Sequence, residues 1–314
     1  MFSLLSRPLG PVERYVIRKN DGSELEILSG LGARLYGWRT SAGNGEIKEL
    51  LCGSADTSGS RLSPFPGRTR DAEWEWNGIK YKLENNVTWA KHALHGFLFV
   101  KPWRFESFEA DGGSARAKFS RLWYGEHPGY PFPFRATSTF EFTGKSFTVT
   151  SETENCGTKT LPYAEGWHPY FTLGTRVNNL RLAVPPSKRS LLDGADIPTG
   201  TYADDVRYAQ NNGCAIGDAF INDCFMFKNT ATRAETVLSD DSRNSSITKS
   251  SITVWQEAER NQWPCVQIYT PPDRESIAIE PMTAEPDVLN HHRGLIEIPP
   301  GGKLSLRWGA EFRG

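Results

Sequence analysis

A period of two in the pattern of apolar and polar residues recurs along most of this 314-residue chain. Successive side chains of an extended strand point to opposite faces, so this alternation predicts half-buried β-strands. The clearest examples are residues Arg14–Arg18, Glu24–Leu28, Lys118–Trp123, Thr139–Phe142, Ser146–Thr150 and Leu304–Trp308. No stretch longer than about ten residues keeps a helical period, which argues against a fold of alternating strands and helices.

The sharpest local signal is the dipeptide Asn77-Gly78, which stands between two short alternating segments. Both central positions of a type I′ turn need positive φ, which asparagine and glycine adopt readily, so a two-residue hairpin is predicted. The resulting cross-strand pairs are Trp76 with Ile79, Glu75 with Lys80, and Trp74 with Tyr81. The aromatic side chains then share one face of the hairpin and the opposite charges share the other.

Many short strands punctuated by turn signals favour an all-β fold. We predict one large antiparallel β-sandwich, with residues 1–314 forming a single domain. Residues 185–220 and 229–250 are richer in polar and small residues, which indicates long surface connections.

Composition and charge argue against several classes of protein. The net charge is −1, so no basic surface for nucleic acid is expected. No apolar run approaches the roughly 18 residues of a membrane span, and the apolar run at the N-terminus is too short for a signal peptide. The five cysteines are scattered without Cys-x-x-Cys spacing, which favours reduced thiols and a cytoplasmic protein.

His168 is the first candidate for a catalytic residue. Pro169 biases it towards an extended backbone, and Trp167 and Tyr170 offer flat apolar surfaces against which a sugar ring can stack. Histidine exchanges protons near neutral pH, as acid–base catalysis requires. The alternative is a buried structural histidine in an aromatic cluster.

Glu280 is the second candidate. It follows Ile277 and Ile279 on a mostly apolar strand, where a carboxylate is costly to bury unless it is paired or functional. Pro281 is expected to end the ladder and expose the strand end. The alternative is a glutamate on a solvated face of the sheet.

Arg68 follows a proline-rich approach and offers a rigid fork of donors for hydroxyl or acidic oxygens. The alternative is a surface arginine paired with Asp71. Arg70 could equally take the functional role.

His95 and Gln267 are further candidates for binding a ligand. Gly96 allows a close backbone approach beside His95, and Gln267 is a polar residue between apolar residues on a predicted strand. His92 lies three residues before His95, a spacing that could bind a metal on a helix, but the surroundings indicate a loop and no zinc site is expected. For Gln267 the alternative is an outward-facing strand residue.

Taken in order, these segments resemble those of the aldose 1-epimerases, the galactose mutarotase-like proteins. The resemblance runs from about residue 12 to residue 312. The matching segments are Pro64–Arg68, Asn77–Tyr81, Leu94–Gly96, Trp167–Phe171, Gln267–Thr270, Ile279–Thr283 and Pro286–Asn290. One such segment is weak support, whereas the whole set in order over a similar length is specific.

The resemblance implies a supersandwich fold in which sugar binds in an open cleft on a concave sheet. It implies that Glu280 is the general base and His168 the general acid. His95 and Arg68 would bind or polarise sugar oxygens, and Gln267 would help to place the ring.

Two positions depart from the family's pattern. Gly67 stands where an asparagine usually precedes the arginine. Asn222 stands where an aspartate often binds sugar hydroxyls, and the neighbouring Asp223 is the alternative residue for that contact. These departures bear on which sugar binds more than on the reaction.

The implied reaction interconverts the α and β anomers of a free hexose, with Glu280 ionised and His168 protonated at the start. A nearby carboxylate is expected to favour the charged form of His168. No metal or organic cofactor is expected, and the expected partner is a small-molecule sugar bound by a monomer or homodimer, without membrane or nucleic acid.

Three alternatives remain open on the sequence. The first is a hexose-6-phosphate 1-epimerase, which would need a basic cluster such as Arg68 with Arg70. The second is a sugar-binding protein without turnover on the same fold. The third is a glycoside hydrolase or lyase on a similar sandwich, in which a hydrolase would use Glu280 together with Glu165 or Glu285.

Overall fold

The computed structural model describes residues 1–53, 57–209, 213–228, 232–240, 250–258 and 262–314. Within these ranges, the strands are β1 (Phe2–Ser6), β2 (Arg14–Lys19), β3 (Glu24–Leu28), β4 (Arg34–Ser41), β5 (Ile47–Leu51), β6 (Arg61–Leu62), β7 (Arg68–Thr69), β8 (Glu73–Trp76), β9 (Ile79–Lys82), β10 (Ala93–Leu94), β11 (Arg104–Ala110), β12 (Ala115–Trp123), β13 (Phe134–Phe142), β14 (Ser146–Asn155), β15 (Leu161–Tyr163), β16 (Gly166–Trp167), β17 (Tyr170–Phe171), β18 (Leu180–Ala183), β19 (Ser187–Leu192), β20 (Pro198–Asp204), β21 (Cys214–Ala215), β22 (Asn222–Phe227), β23 (Arg233–Asp240), β24 (Ser251–Glu257), β25 (Cys265–Tyr269), β26 (Ile277–Met282), β27 (Ile296–Ile298) and β28 (Lys303–Arg313).

Helices are short in the described part of the chain. The α-helix α1 covers Val288–His291, and 3₁₀ turns cover Arg70–Ala72, Leu98–Val100 and Val177–Asn179. None of these helices has the length and apolar character that a membrane crossing needs.

Two large sheets contain most of the described strands. The first has the order β1-β2-β3-β4-β5-β17-β26-β25-β22-β19-β20, with β16 and β6 attached beside β26. The second has the order β11-β12-β13-β14-β28-β24-β23-β18-β21, and the pairs β7–β10, β8–β9 and β15–β27 stand apart. Neighbouring strands of both large sheets run antiparallel, which confirms the predicted fold class.

The core lies between the two large sheets, where aromatic side chains from each pack against the other. Trp38 of the first sheet meets Phe147 of the second edge to face, with ring centroids 5.1 Å apart. Trp167 likewise contacts Trp308 at 5.6 Å, directly behind the segment that carries His168. Aromatic pairs of this kind add to the free energy gained by burying their area.

All six strands predicted from the two-residue period are present, but β3 is more deeply buried than expected. Its acidic residues Glu24 and Glu26 are buried rather than solvated. They form ion pairs with Arg14, Arg18 and Arg39 of the neighbouring strands. Pairing with arginine is what allows a carboxylate to be buried at such a position.

The prediction that residues 185–220 and 229–250 are surface connections is wrong for much of their length. Strands β19, β20 and β21 lie in the first segment and β23 in the second, while residues 210–212, 229–231 and 241–249 lie outside the described residues. Strands β20 and β21 are the edges of their sheets. An edge strand faces water along one side, so its sequence need not show apolar alternation.

The predicted hairpin is confirmed in its register. Asn77 and Gly78 have φ of 50° and 77°, as a type I′ turn requires. Trp74 lies opposite Tyr81, and their rings stack with centroids 4.8 Å apart.

A buried ion pair next to the segment of His168 includes an arginine that links the two large sheets. The Nη2 atom of Arg61 donates to Oε2 of Glu165 at 2.5 Å, and both side chains are fully buried. Arg61 also donates to the carbonyl of Thr137 and the hydroxyl of Thr153, which belong to the second sheet. These bonds compensate for burial of the guanidinium and fix the spacing of the sheets.

Replacing Arg61 with Met should strongly destabilise the fold, because Glu165 would stay buried without its cationic partner. Breaking one side of a buried ion pair costs about 3–5 kcal/mol. Urea denaturation should show this loss in the free energy of unfolding. The control is Arg307→Met, which breaks a partly exposed pair with Glu257 and should cost at most about 1 kcal/mol. Equal losses in both variants would contradict a structural role for the buried pair.

Candidate active site

The middle of the first sheet carries a row of polar side chains across adjacent strands. Gln267 lies opposite Glu280 in the pairing of β25 with β26. On the other side of β26, Gly166 pairs with Met282 and Tyr170 pairs with Ala278, so His168, midway between them, falls beside Glu280. The register therefore brings together three residues that are far apart in the sequence.

The two predicted catalytic residues are in direct contact. The Nε2 atom of His168 lies 3.5 Å from Oε1 of Glu280, and both side chains are almost fully buried. The backbone N–H of His168 donates to the carbonyl of Ser60, and its ring stacks on Tyr170 at a centroid distance of 4.9 Å. The backbone of His168 is thus fixed by Ser60 and its imidazole is supported on one face by Tyr170, with the Nε2 atom directed at the carboxylate.

Burial moves both pKa values of this pair towards the uncharged forms. Desolvation raises the pKa of Glu280 well above its ordinary value and lowers the pKa of His168 to about 4. The expectation that the carboxylate keeps His168 charged in the empty cleft is therefore not met, because the burial of both groups outweighs their attraction.

Two interpretations considered from the sequence, a solvated Glu280 and a strand that ends at Pro281, are wrong. Glu280 is buried, not on a solvated face, and only 3% of it is exposed. Pro281 does not end the ladder, since it lies opposite Val266 and β26 continues to Met282. A proline lacks only the backbone donor, so the carbonyl side of the ladder can continue through it.

His95 faces His168 across the cleft, with ring centroids 5.4 Å apart at nearly right angles. Its Nδ1 atom accepts the backbone N–H of Gly67 at 3.1 Å. Burial holds the pKa of His95 well below its usual 6.5, and repulsion from protonated His168 and from the guanidinium of Arg68 adds to the effect. A neutral ring with Nδ1 occupied as an acceptor carries its proton on Nε2, which makes His95 a hydrogen-bond donor to a ligand.

Gly67 explains one departure from the family's pattern. Its φ is +66°, and a Cβ atom here would lie 2.6 Å from Cβ of Pro286. Any larger residue would push against this proline, so the glycine at position 67 matches the close packing against Pro286 in the wall of the cleft.

Arg68 lies at the cleft, whereas Arg70 points elsewhere. Arg68 pairs with Asp196 at 3.1 Å, not with Asp71, and its guanidinium lies 5.3 Å from the ring centroid of Trp89. Arg70 pairs with Asp193 in a separate groove. The structure thus resolves the choice between the two arginines in favour of Arg68 as a cleft residue.

The side chains of Asn222 and Gln267 are hydrogen-bonded to each other on the cleft face of the sheet. The side-chain amide of Gln267 donates to Oδ1 of Asn222 at 2.9 Å. Asp223 points to the opposite face of β22, where it pairs with Arg189 at 3.1 Å. Gln267 is therefore not an outward-facing residue, and Asn222, not Asp223, is placed to meet a ligand.

All six predicted site residues line one open cleft of about 470 Å³. Pockets for small molecules commonly have this size. Sequence reasoning missed Trp89 and Tyr269, which also line the cleft. Trp89 is 62% exposed at the rim, a position open to a ligand. An aromatic residue in a polar loop gives no periodic signal, so only its position in the fold identifies it.

Glu165 and Glu285, the other carboxylates considered for a hydrolase, form hydrogen bonds outside the cleft. Glu165 is bonded to Arg61 behind the sheet, and Glu285 is bonded to Ser190, Tyr202 and Arg293. Neither lines the cleft with Glu280.

His92 and His95 each use Nδ1 for a hydrogen bond to the backbone. The Nδ1 atom of His92 accepts the backbone N–H of Asp71 at 2.9 Å, just as that of His95 accepts the N–H of Gly67. In the part of the chain that the structure describes, no group of three or more His, Cys, Asp and Glu side chains is arranged to hold a metal ion.

The large antiparallel sandwich with a histidine–glutamate cleft on one sheet is a galactose mutarotase-like fold. The chain belongs to the aldose 1-epimerase family, whose model, Aldose 1-epimerase, matches residues 13–309.

Solved structures share this fold. A galactose mutarotase-like protein from Clostridium acetobutylicum superposes with a TM-score of 0.85 at 16% identity, covering 100% of this chain and 99% of the other. Galactose 1-epimerase from Lactobacillus acidophilus NCFM gives a TM-score of 0.79 at 15% identity, covering 100% and 98%.

Two relatives from Escherichia coli (strain K12) show sequence similarity, and both are uncharacterized proteins. YphB is 34% identical over 120 residues, which span 38% of this chain and 39% of YphB. YihR is 25% identical over 252 residues, which span 77% of this chain and 75% of YihR.

The geometry of His95 predicts a fixed tautomer. Nitrogen-15 NMR should show a neutral ring with the proton on Nε2 between about pH 5 and pH 8, the range in which an ordinary histidine titrates. The His95→Gln variant assigns the resonance by its loss. A titration midpoint of His95 near the ordinary histidine value would contradict the effect of burial on its pKa. A proton on Nδ1 would contradict the hydrogen bond from Gly67.

Proposed function

We propose that this protein is an aldose 1-epimerase that interconverts the α and β anomers of a free hexose. The observation that supports this most is the buried contact of His168 with Glu280, 3.5 Å apart in an open cleft. Ring opening of a sugar needs one group to remove the proton of the anomeric hydroxyl and another to protonate the ring oxygen. A carboxylate and an imidazolium side by side provide both.

The pair carries out this chemistry with a single proton. A glutamate anion with an imidazolium, and a neutral glutamic acid with a neutral imidazole, hold the same number of protons. In the closed-ring complex Glu280 is the anion and His168 is the cation. Glu280 then takes the anomeric proton while His168 protonates the ring oxygen, so ring opening leaves both groups neutral.

Burial favours the state that ring opening produces. Because desolvation raises the pKa of Glu280 and lowers that of His168, the neutral pair is the preferred form of the buried site. The open-chain aldehyde is thus bound beside a pair in its favoured state. Rotation about the bond to C1 and closure on the other face reverse both proton transfers.

The remaining cleft residues supply binding. His95 offers an Nε2 donor to a sugar oxygen, and the bonded amides of Asn222 and Gln267 can hydrogen-bond hydroxyl groups. Trp89 and Tyr269 also line the cleft and offer aromatic surface to the C–H groups of a sugar. This combination suits an uncharged polyhydroxylated ring.

A phosphorylated sugar is a weaker candidate. Arg68 and Arg70 each have a carboxylate partner, Asp196 and Asp193, which neutralises their charge. A phosphate would have to displace at least one of these partners, whereas an uncharged sugar leaves them in place.

Changing Glu280 to Gln should remove turnover while leaving the fold and sugar binding largely intact. Proton NMR of freshly dissolved α-glucose and α-galactose measures anomer exchange directly. Loss of one acid–base group should slow the catalysed exchange by about 10²–10⁴-fold.

The matched control for this test is Glu275→Gln. Glu275 is exposed, pairs with Arg176 at 3.6 Å and lies away from the cleft, so its loss should leave the exchange rate unchanged. Full activity of folded Glu280→Gln protein would overturn the proposed base. Binding of both sugars without faster exchange in the unaltered protein would instead support a non-catalytic sugar-binding protein.

The pH dependence of kcat/KM, corrected for spontaneous exchange, should be bell-shaped, because the reaction needs one proton on the pair. On the acid side, activity should fall as the pair takes up a second proton, with a limb near the lowered His168 pKa of about 4. On the alkaline side, activity should fall as the pair loses its last proton. This limb should follow the raised pKa of Glu280, which lies well above the ordinary value of 4.5. A profile with a single limb would contradict a shared proton.

A further inference from the structure

Four sulfur-bearing side chains meet on the same face of the first sheet as the sugar cleft. Cys265 lies opposite Met226 on β22 and opposite Met282 on β26, so these three residues stand side by side in one row. Cys224 lies two residues before Met226 on the same strand and face, and it packs in the same cluster. The chain has three methionines in all, so both that follow Met1 are in this cluster.

The sulfur atoms are close enough to share one ion. Sγ of Cys224 lies 4.0 Å from Sδ of Met226, and both side chains pack with Cys265 and Met282 in one cluster. The thiol of Cys265 donates to the backbone carbonyl of Met282 at 3.4 Å. Two metal–sulfur bonds of about 2.3 Å at a trigonal angle span about 4.0 Å. The separation of Cys224 from Met226 therefore suits a metal ion bound between these two sulfur atoms, with Cys265 and Met282 packed beside them.

A disulfide fits this cluster less well. Cys224 lies opposite Gln267, and Cys265 lies opposite Met226, so the two cysteines are diagonal neighbours and not a facing pair. Diagonal positions of an antiparallel pair are about 7–8 Å apart, whereas a disulfide needs Cα atoms closer than about 7 Å. A disulfide also gives no role to the two methionines.

We propose that Cys224, Cys265, Met226 and Met282 form a binding site for a soft monovalent metal ion, of which copper(I) is the example to test. Thiolate and thioether ligands together select such ions over zinc or the hard divalent cations. The thiols release their protons to solvent as their sulfur atoms bind, and the oxidation state of the metal does not change. The proposal does not rest on the proposed sugar chemistry, although Met282 also lines the sugar cleft.

The cleft gives the ion a way in. Cys224, Cys265 and Met282 are buried, with Met282 in the wall of the cleft, whereas Met226 is partly exposed at the same face. An ion can therefore pass from a thioether at the surface to the thiols beneath. Because the two thiols are buried, the metal–thiolate bonds would form in a dry, low-dielectric environment.

The test is anaerobic titration of the purified full-length protein with copper(I) in competition with a copper(I) chelator. One ion should bind per chain, and X-ray absorption should show sulfur ligands at about 2.3 Å. Cys224→Ser and Cys265→Ser should each weaken binding by more than about 100-fold. A loss of this size exceeds the roughly 10–100-fold effect of removing a residue that only supports a metal ligand. Met226→Leu, at a partly exposed position where folding is least at risk, should weaken it by about tenfold.

The matched control is Cys156→Ser, because Cys156 is exposed and lies outside the cluster. This variant should bind copper(I) like the unaltered protein. Unchanged affinity in Cys224→Ser and Cys265→Ser, or loss of binding in Cys156→Ser, would overturn the proposal. So would a Cys224–Cys265 disulfide formed with the metal left free, and so would a shell of nitrogen and oxygen ligands. Sugar turnover is not part of the readout, so a failure here leaves the proposed epimerase activity untouched.

Discussion

The pairing register of β26 is the constraint on which the site depends. One alignment with β25 sets Gln267 beside Glu280, and the bridges to β16 and β17 set His168 on the other side. A slip of one residue would turn Glu280 to the opposite face of the sheet, because side chains alternate along a strand. The ion pair of Arg61 with Glu165 and the aromatic contacts of Trp167 hold this region against the second sheet, so the register is fixed by packing on both sides.

The same burial that fixes the geometry sets the electrostatics. In water, attraction between a carboxylate and an imidazolium 3.5 Å apart would favour the charged form of each, but here both groups are almost fully desolvated. Desolvation penalises the charged form of each group, so the pair prefers to be neutral while still holding one proton. A site of this kind can move a proton through a substrate and return it without exchange with solvent, which suits a reaction that has no net proton change.

Much of this organisation could be predicted from the sequence, and the rest depends on contacts that no local pattern records. The two-residue period and the Asn77-Gly78 turn gave the antiparallel strands and the hairpin register, because these features are local. The edge strands β20 and β21 escaped notice because water on one side removes the need for apolar alternation. The paired burial of Glu24 and Glu26 was missed because their arginine partners come from other strands.

Six of the residues that line the cleft could be predicted from the sequence, but their side-chain directions and pKa values could not. His168, Glu280, His95, Arg68, Gln267 and Asn222 were all identified from motifs, and the structure brings them to one cleft. The choices of Arg68 over Arg70 and of Asn222 over Asp223 needed the direction of each side chain. The pKa shifts of His168 and Glu280 could not be predicted without knowing how deeply both groups are buried. The place of Trp89 in the cleft depends on the path of a loop.

The claim that Glu280 and His168 act as one proton-sharing unit is tested most directly by a double-mutant cycle on anomer exchange. The rates of Glu280→Gln, His168→Gln and the double variant are compared with that of the unaltered protein. Residues that act as a unit are non-additive, so each single change should lose nearly as much rate as the double change. Losses that multiply in the double variant would mean that the two groups act independently, which contradicts the account.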